Sequence, residues 1–186
     1  VMATWLTVTG YITIYIQPGL LAERVHPPKG AKGWDRTILS FLRIFQLARY
    51  ILAGFDQRYT WTGGFPLAIE MLALVLCLSG YALFEWATAS NAFFSQIVRV
   101  QNDRGHIVVT GGPYRYVRHP AYLGAIITEI ALAVLLASWW GLAAGMLCAV
   151  LVIIRTALEN RTLQVELPGY KDYARQVKYR LLPGIW

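Results

Sequence analysis

The stretch GGPYRYVRHPAYLGAI, Gly111 to Ile126, sets two arginines, one histidine and three tyrosines directly before an apolar run. Pro120 suits the first position of a helix, where its missing N–H costs nothing. The unpaired backbone donors at such a helix start favour an anion, and Arg118 and His119 reinforce that preference. Tyr114, Tyr116 and Tyr122 offer flat faces and hydroxyls to an aromatic ligand. A small molecule with a carboxylate and a purine ring suits this set. An interfacial anchor among lipid headgroups uses the same residue types, so the stretch alone leaves both readings open.

Further ionisable residues interrupt apolar runs: Arg43, Arg49, Glu70, Glu85, Glu129 and Arg155, with Glu159 just beyond the last run. Such residues are expensive inside a bilayer and face partners or water-filled cavities. Their positions predict that Arg49 and Glu70 pair near one end of their helices. Arg155 and Glu159 are four residues apart, hence on one helix face. No glycine-rich phosphate loop, HExxH motif or metal-spaced His/Cys set is present. His26 and His106 lie in polar segments and are expected to be solvated. Cys77 and Cys148 lie inside apolar runs and read as small buried hydrophobes.

The elements that position these residues are predicted to be membrane helices. Of the 186 residues 56% are hydrophobic and only 15% charged, well short of the usual quarter. Apolar segments run roughly Ala3 to Leu21, Thr37 to Phe55, Pro66 to Trp86, Ala121 to Ala137 and Leu142 to Leu158. Each approaches the 17 to 25 residues that cross a bilayer. The first, diluted by threonines, lacks a basic leader and does not read as a signal peptide. The fold class is therefore all-α: a single polytopic membrane domain, 1–186, of about five transmembrane helices. Residues 1–86 form three spans; 87–186 form a binding loop, a helical hairpin and a C-terminal segment.

The net charge of +7 does not gather on one stripe, which argues against nucleic acid. It falls instead in three polar segments: Arg24, Lys29, Lys32 and Arg36; Arg99, Arg104, Arg115 and Arg118; and the tail from Arg161 to Arg180. Five spans bring these to one side, which the positive-inside rule makes cytoplasmic, with the N-terminus outside. The hairpin turns at SWWG, so symmetry about Trp139 and Trp140 returns Glu159 to the level of Pro120 and Arg155 to that of Gly124. The polar residues converge at one membrane surface. The tail reads as an amphipathic helix broken at Leu167-Pro168-Gly169, resuming to about Tyr179, and either lies on the membrane surface or closes over the site as a lid.

GGPYRYVRHPAYLG, RTALEN (Arg155 to Asn160) and ELPGYKDYARQVKYRLLPG (Glu166 to Gly184) resemble the isoprenylcysteine carboxyl methyltransferase-like family, which is related to the phospholipid N-methyltransferases. The resemblance covers roughly the last hundred residues. It implies a membrane enzyme using S-adenosylmethionine at the cytoplasmic face, on a lipophilic or small amphipathic acceptor such as an isoprenylcysteine-like carboxylate. By motif, Val109, Gly112, Pro113, Tyr114, Arg118, His119, Pro120 and Tyr122 would form the cofactor site. Arg155 would hold an anionic substrate group, and Glu159 would contact the cofactor or assist transfer. Ala121 replaces a common Met, and Asn160 stands where many relatives carry a second adjacent carboxylate. The C-terminal pattern also resembles the nicotinamide-dependent sterol reductases, and a non-catalytic membrane scaffold is the alternative from another class.

Overall fold

A computed structural model describes residues 2–19 and 30–186. Arg24, His26 and Lys29 lie outside the described residues. The elements are α1 (Met2–Tyr11), continuing into a π-helical turn (Ile12–Ile16), α2 (Gly33–Tyr59), α3 (Leu67–Ser90), α4 (Pro120–Leu135), α5 (Trp139–Glu166) and α6 (Tyr170–Gln176). Short 3-10 turns at Asn102–Arg104 and Gly112–Arg115 punctuate the link between α3 and α4. No strand occurs among the described residues.

Three helices, α2, α3 and α5, are long and apolar enough to cross a membrane. The 28 residues of α5 rise about 42 Å, beyond the roughly 30 Å of a hydrocarbon core. The predicted fourth span is shorter: α4 has 16 residues, about 24 Å. It starts late because Pro120 takes its first position, and Ala137, at φ 50°, turns the chain after its end. The two hairpin helices meet at this turn, where α4 ends and the Ser138 hydroxyl caps α5 by accepting from Gly141 N–H. Their unequal lengths therefore let α5 overhang α4 by about 18 Å at the far end. That overhang is where the loop after α3 and the C-terminal tail dock.

The packing order is α3 against α4, α4 against α5, and α5 against α2. Small residues set the α3–α4 contact. A Cβ on Gly124 would stand 2.5 Å from Gly80 O and 2.9 Å from Phe84 N, so only glycine fits. On the other side, Ile38 and Leu42 of α2 pack with Cys148 and Val152 of α5. Both cysteines are buried and free, as expected. Exposed Phe41, Ile44, Leu47, Ile51, Leu72, Val75, Leu76 and Val150 on the outer faces match a lipid-facing surface.

The two ends of the bundle differ in chemistry. At one, Asp56 accepts from the Ser138 hydroxyl at 2.5 Å and from Thr62 N at 2.7 Å, while Phe65 meets Trp139 edge-on. At the other, Lys32 pairs with Glu166 at 2.6 Å, Asp35 accepts from Val98 N at 2.7 Å, and Arg118 N–H donates to Tyr179 O at 3.0 Å. The described basic segments thus share one end, as the charge pattern predicts. Arg49 does not pair with Glu70. It forms an ion pair with Glu129, whose other oxygen accepts from Gln46 at 2.6 Å. The reason is topological: Glu70 opens α3, beyond α4, whereas Glu129 lies on the α4 surface that α2 reaches.

Candidate active site

The opening motif begins with a sharp turn. Gly112 has φ 58° and is packed against Ser90, so neither its conformation nor its space admits a side chain. The following 3-10 turn buries Pro113 and Tyr114, and Pro120 lies fully buried at the start of α4. Between them, Arg118 N–H and His119 N–H donate to Tyr179 O and Arg180 O, at 3.0 and 2.9 Å, so the C-terminal segment is stitched to the motif. Tyr173 of α6 adds a bond from its hydroxyl to Tyr114 O at 2.6 Å. The short helix α6 ends at Gln176 rather than continuing to Tyr179, because the chain beyond it extends along the motif.

A partly open cavity lies beneath these contacts. Val109, Tyr114, Arg118, His119, Tyr122 and Glu159 line it together. Gly112, Pro113 and Pro120 are not in the wall; they shape the backbone that carries it. Arg155 also stands behind the wall. Its Nε donates to Asp35 Oδ1 at 2.7 Å, its Nη2 donates to Gln96 O at 2.7 Å, and its guanidinium covers the Tyr122 ring, 5.3 Å from the centroid.

Hydrogen bonding fixes the tautomer of His119. The Tyr170 hydroxyl gives its proton to Asn160 Oδ1 at 3.2 Å, so its oxygen accepts from His119 Nε2 at 3.3 Å. Nδ1 is then an acceptor, 4.0 Å from Glu159 Oε1. The other Glu159 oxygen accepts from the Tyr122 hydroxyl. Tyr122 also stacks on the imidazole, 5.7 Å between centroids. Burial, with Arg118 beside it, depresses the His119 pKa to about 3, so the ring is neutral at physiological pH. Burial likewise pushes the Tyr114, Tyr170 and Tyr173 phenols upward, keeping them protonated.

Several participants carry no motif signal. The link after α3 supplies Asn91, Phe93, Ile97 and Val98 to the wall, and Tyr170 and Tyr173 close the opposite side. His106, expected to be solvated, is half-buried: its ring stacks on Phe93 at 4.7 Å and Nδ1 accepts from Gln101 N at 3.3 Å. Asp35, wholly buried, is the partner that sequence reasoning missed for Arg155. An acidic residue in the first turn of a helix within a basic segment was the available signal.

Helices throughout, three of them of membrane length, with a polar-lined cavity at one end of the bundle, define an integral membrane protein. The model of the isoprenylcysteine carboxyl methyltransferase family matches residues 71–165, which include α4, most of α5 and much of the cavity wall. The chain belongs to that family. It is 36% identical over 64 residues to the protein-S-isoprenylcysteine O-methyltransferase of Schizosaccharomyces pombe, an alignment spanning 34% of this chain and 27% of that one. It is 27% identical over 144 residues to the mouse Delta(14)-sterol reductase TM7SF2, spanning 65% of this chain and 32% of the reductase. The chain thus matches about a third or less of either relative. The solved structure of a eukaryotic intramembrane Ras methyltransferase of this family shares the fold, with a TM-score of 0.60 at 18% identity over 97% of this chain and 68% of that one.

Proposed function

We propose that this protein is an S-adenosylmethionine-dependent methyltransferase that serves a lipophilic or small amphipathic acceptor at the cytoplasmic membrane face. The observation that carries the reading is the meeting of His119, Tyr122 and Glu159 in one cavity wall, inside the region that the family model matches. The cavity fits the cofactor on its own terms. Arg118 lines it, and its Nε is buried without a hydrogen-bond partner, which suits an incoming carboxylate. Aromatic walls from Tyr114, Tyr122 and Phe93 suit a purine.

The cofactor, when bound, supplies an activated methyl group. Arg118 anchors its anionic end, and the neutral His119, locked by Tyr170 and Asn160, offers Nδ1 as a fixed acceptor. Glu159 is held by Tyr122 and takes up a proton or opposes positive charge. Arg155 acts one layer back, fixing Asp35, Gln96 and the Tyr122 ring. The C-terminal segment closes the cavity on its water side, as a lid that excludes solvent. The single domain spans the membrane about five times, α1 and α4 included, with its N-terminus outside and the basic end cytoplasmic.

A thermal-shift measurement on the detergent-purified chain tests this, with S-adenosylmethionine, S-adenosylhomocysteine and NADPH in parallel. A ligand at a hundredfold its dissociation constant adds about 2.7 kcal/mol of stability. Stabilisation by the adenosyl compounds, lost in His119→Ala, is expected. The relation to the sterol reductase supports a second reading, a nicotinamide-dependent reductase, for which stabilisation by NADPH alone would decide. No response to any of the three would leave a non-catalytic scaffold.

A further inference from the structure

Beyond α6 the chain closes on itself. Leu181 is buried; Arg180 N–H and Leu181 N–H both donate to Trp186 O, at 2.8 and 3.1 Å. Ile185 N–H and Trp186 N–H both donate to Leu182 O at 3.2 Å, and Gly184, at φ 84°, makes the bend. Leu182 and Ile185 stand at the tip of this turn, 44% and 79% exposed. A closed turn that presents two largely uncovered aliphatic side chains is preformed for an apolar surrounding.

The level of the turn in the bundle identifies that surrounding. Tyr179 O and Arg180 O accept from Arg118 and His119, the two residues immediately before α4. With α4 read as a span, its start lies at the edge of the hydrocarbon core, and residues 181–186 lie beside it. Exposed Tyr116 and Tyr179, with Trp186, supply the amphipathic rings that favour this zone. The charge around them has one sign. Arg115 and Lys178 are exposed, and Arg180 is half-buried with its guanidinium 4.7 Å from the Trp186 ring centre. Residues 107–119 and 177–186 contain no Asp or Glu. The flanking acids are already paired: Glu166 with Lys32, Asp172 with Arg175 and Asp103 with Arg99. Arg118 and Glu159 face the cavity instead.

We propose that turn 181–186, with Arg115, Lys178 and Arg180 around it, is a seat for the anionic lipid surface at the basic end of the bundle. Leu182 and Ile185 enter the acyl region, and the three cations meet lipid phosphates. The tail then has two parts: α6 covers the cavity from water, and the turn beyond it holds that cover to the membrane. Because the backbone of residues 179 and 180 is bonded to Arg118 and His119, seating the turn and closing the cavity reinforce each other. This coupling rests on the methyltransferase reading, whereas the seat rests only on α4 being a span.

The test places the full chain in lipid nanodiscs of phosphatidylcholine alone or of an equal mixture with phosphatidylglycerol. Nitroxide labels are attached in Ile185→Cys and, as the control, in Lys171→Cys on the exposed side of α6; the native Cys77 and Cys148 are buried. In the mixed discs the label at 185 is expected to be relaxed mainly by oxygen, which partitions into lipid. The label at 171 is expected to be relaxed mainly by a nickel chelate, which stays in water. S-adenosylhomocysteine is expected to bind the unlabelled chain about fivefold more tightly in the mixed discs, the size of one basic side chain's attraction to such a surface. That gain should vanish in Arg115→Gln with Lys178→Gln, and in high salt. A label at 185 as open to nickel as the one at 171 overturns the seat. Shielding from both reagents overturns it too, since protein, such as a second copy, then covers the turn. Equal affinity in the two discs, or a gain that survives the double variant, overturns the coupling to the cavity. S-adenosylhomocysteine that binds in neither disc counts against the methyltransferase reading, while the nitroxide comparison still decides the seat.

Discussion

Tyr170 and His119 meet at 3.3 Å across the junction between the C-terminal segment and the start of α4. Because the same hydroxyl donates to Asn160, one hydroxyl group orders three residues from three separate elements. Tyr170→Phe leaves the Asn160 oxygen and the His119 Nε2 proton buried and unpaired. Each such group costs about 1 to 3 kcal/mol. The variant is expected to unfold at lower temperature and to bind S-adenosylhomocysteine about fivefold more weakly, since its tail no longer fixes the imidazole. Unchanged affinity alongside reduced stability would make Tyr170 a packing residue only.

The neutral state of His119 has a pH consequence. Its folded pKa, about 3, lies below the unfolded value near 6.5, so the unfolded chain binds the proton more readily. Stability linked to His119 is therefore fully present above about pH 6.5 and is lost as pH falls toward 3, by up to about 1.4 kcal/mol per unit. His106 is also depressed, by burial and by Arg104 and Arg99, and contributes with the same sign. Unfolding midpoints measured between pH 7 and 4.5 should fall steadily, and His119→Asn should flatten most of that slope. A slope unchanged in the variant would assign it to other groups.

The Asp35–Arg155 pair makes a different prediction from the sequence expectation that Arg155 simply holds substrate. Arg155→Gln leaves Asp35 as an uncompensated buried carboxylate, which destabilises a protein by about 3 to 5 kcal/mol. Lost activity in this variant is then expected to accompany a large drop in unfolding midpoint. Asp35→Asn with Arg155→Gln should recover part of that drop, because no lone charge remains. A double variant as unstable as the sum of the singles would show that the two residues do not act as a unit.

What the sequence made legible follows from what its patterns encode. Apolar length located the helices, and the turn at SWWG placed Glu159 opposite the start of α4, where Tyr122 now bonds it. Residues on one hairpin can be ranked by counting along two antiparallel helices. The count could not reach Asp35, which is 120 residues from Arg155 and joined to it only through the packing of α2 on α5. It failed for Arg49 in the same way, since charge and depth do not say which helix is the neighbour. His106 and the Phe93 segment were invisible for another reason: neither belongs to a periodic element, and their burial depends on the tail folding back over them.

Gly124 shows how a motif glycine can matter without touching ligand. It ends the pattern RHPAYLG, yet its own surroundings are the backbone of α3. A methyl group there would lie 2.5 Å from Gly80 O and 2.9 Å from Phe84 N, atoms fixed by helical hydrogen bonding. The two helices must separate to admit it, and overpacking of this kind costs about 1 to 3 kcal/mol. Tyr122 is two residues away on α4, so the separation also moves the ring that holds Glu159. Gly124→Ala is therefore expected to lower the unfolding midpoint and to weaken S-adenosylhomocysteine binding together, although it removes no atom from the cavity. Gly54→Ala, on α2 with open space around it, is the control: its stability and affinity should be unchanged. If Gly124→Ala behaves like that control, the close contact of α3 with α4 does not position the site.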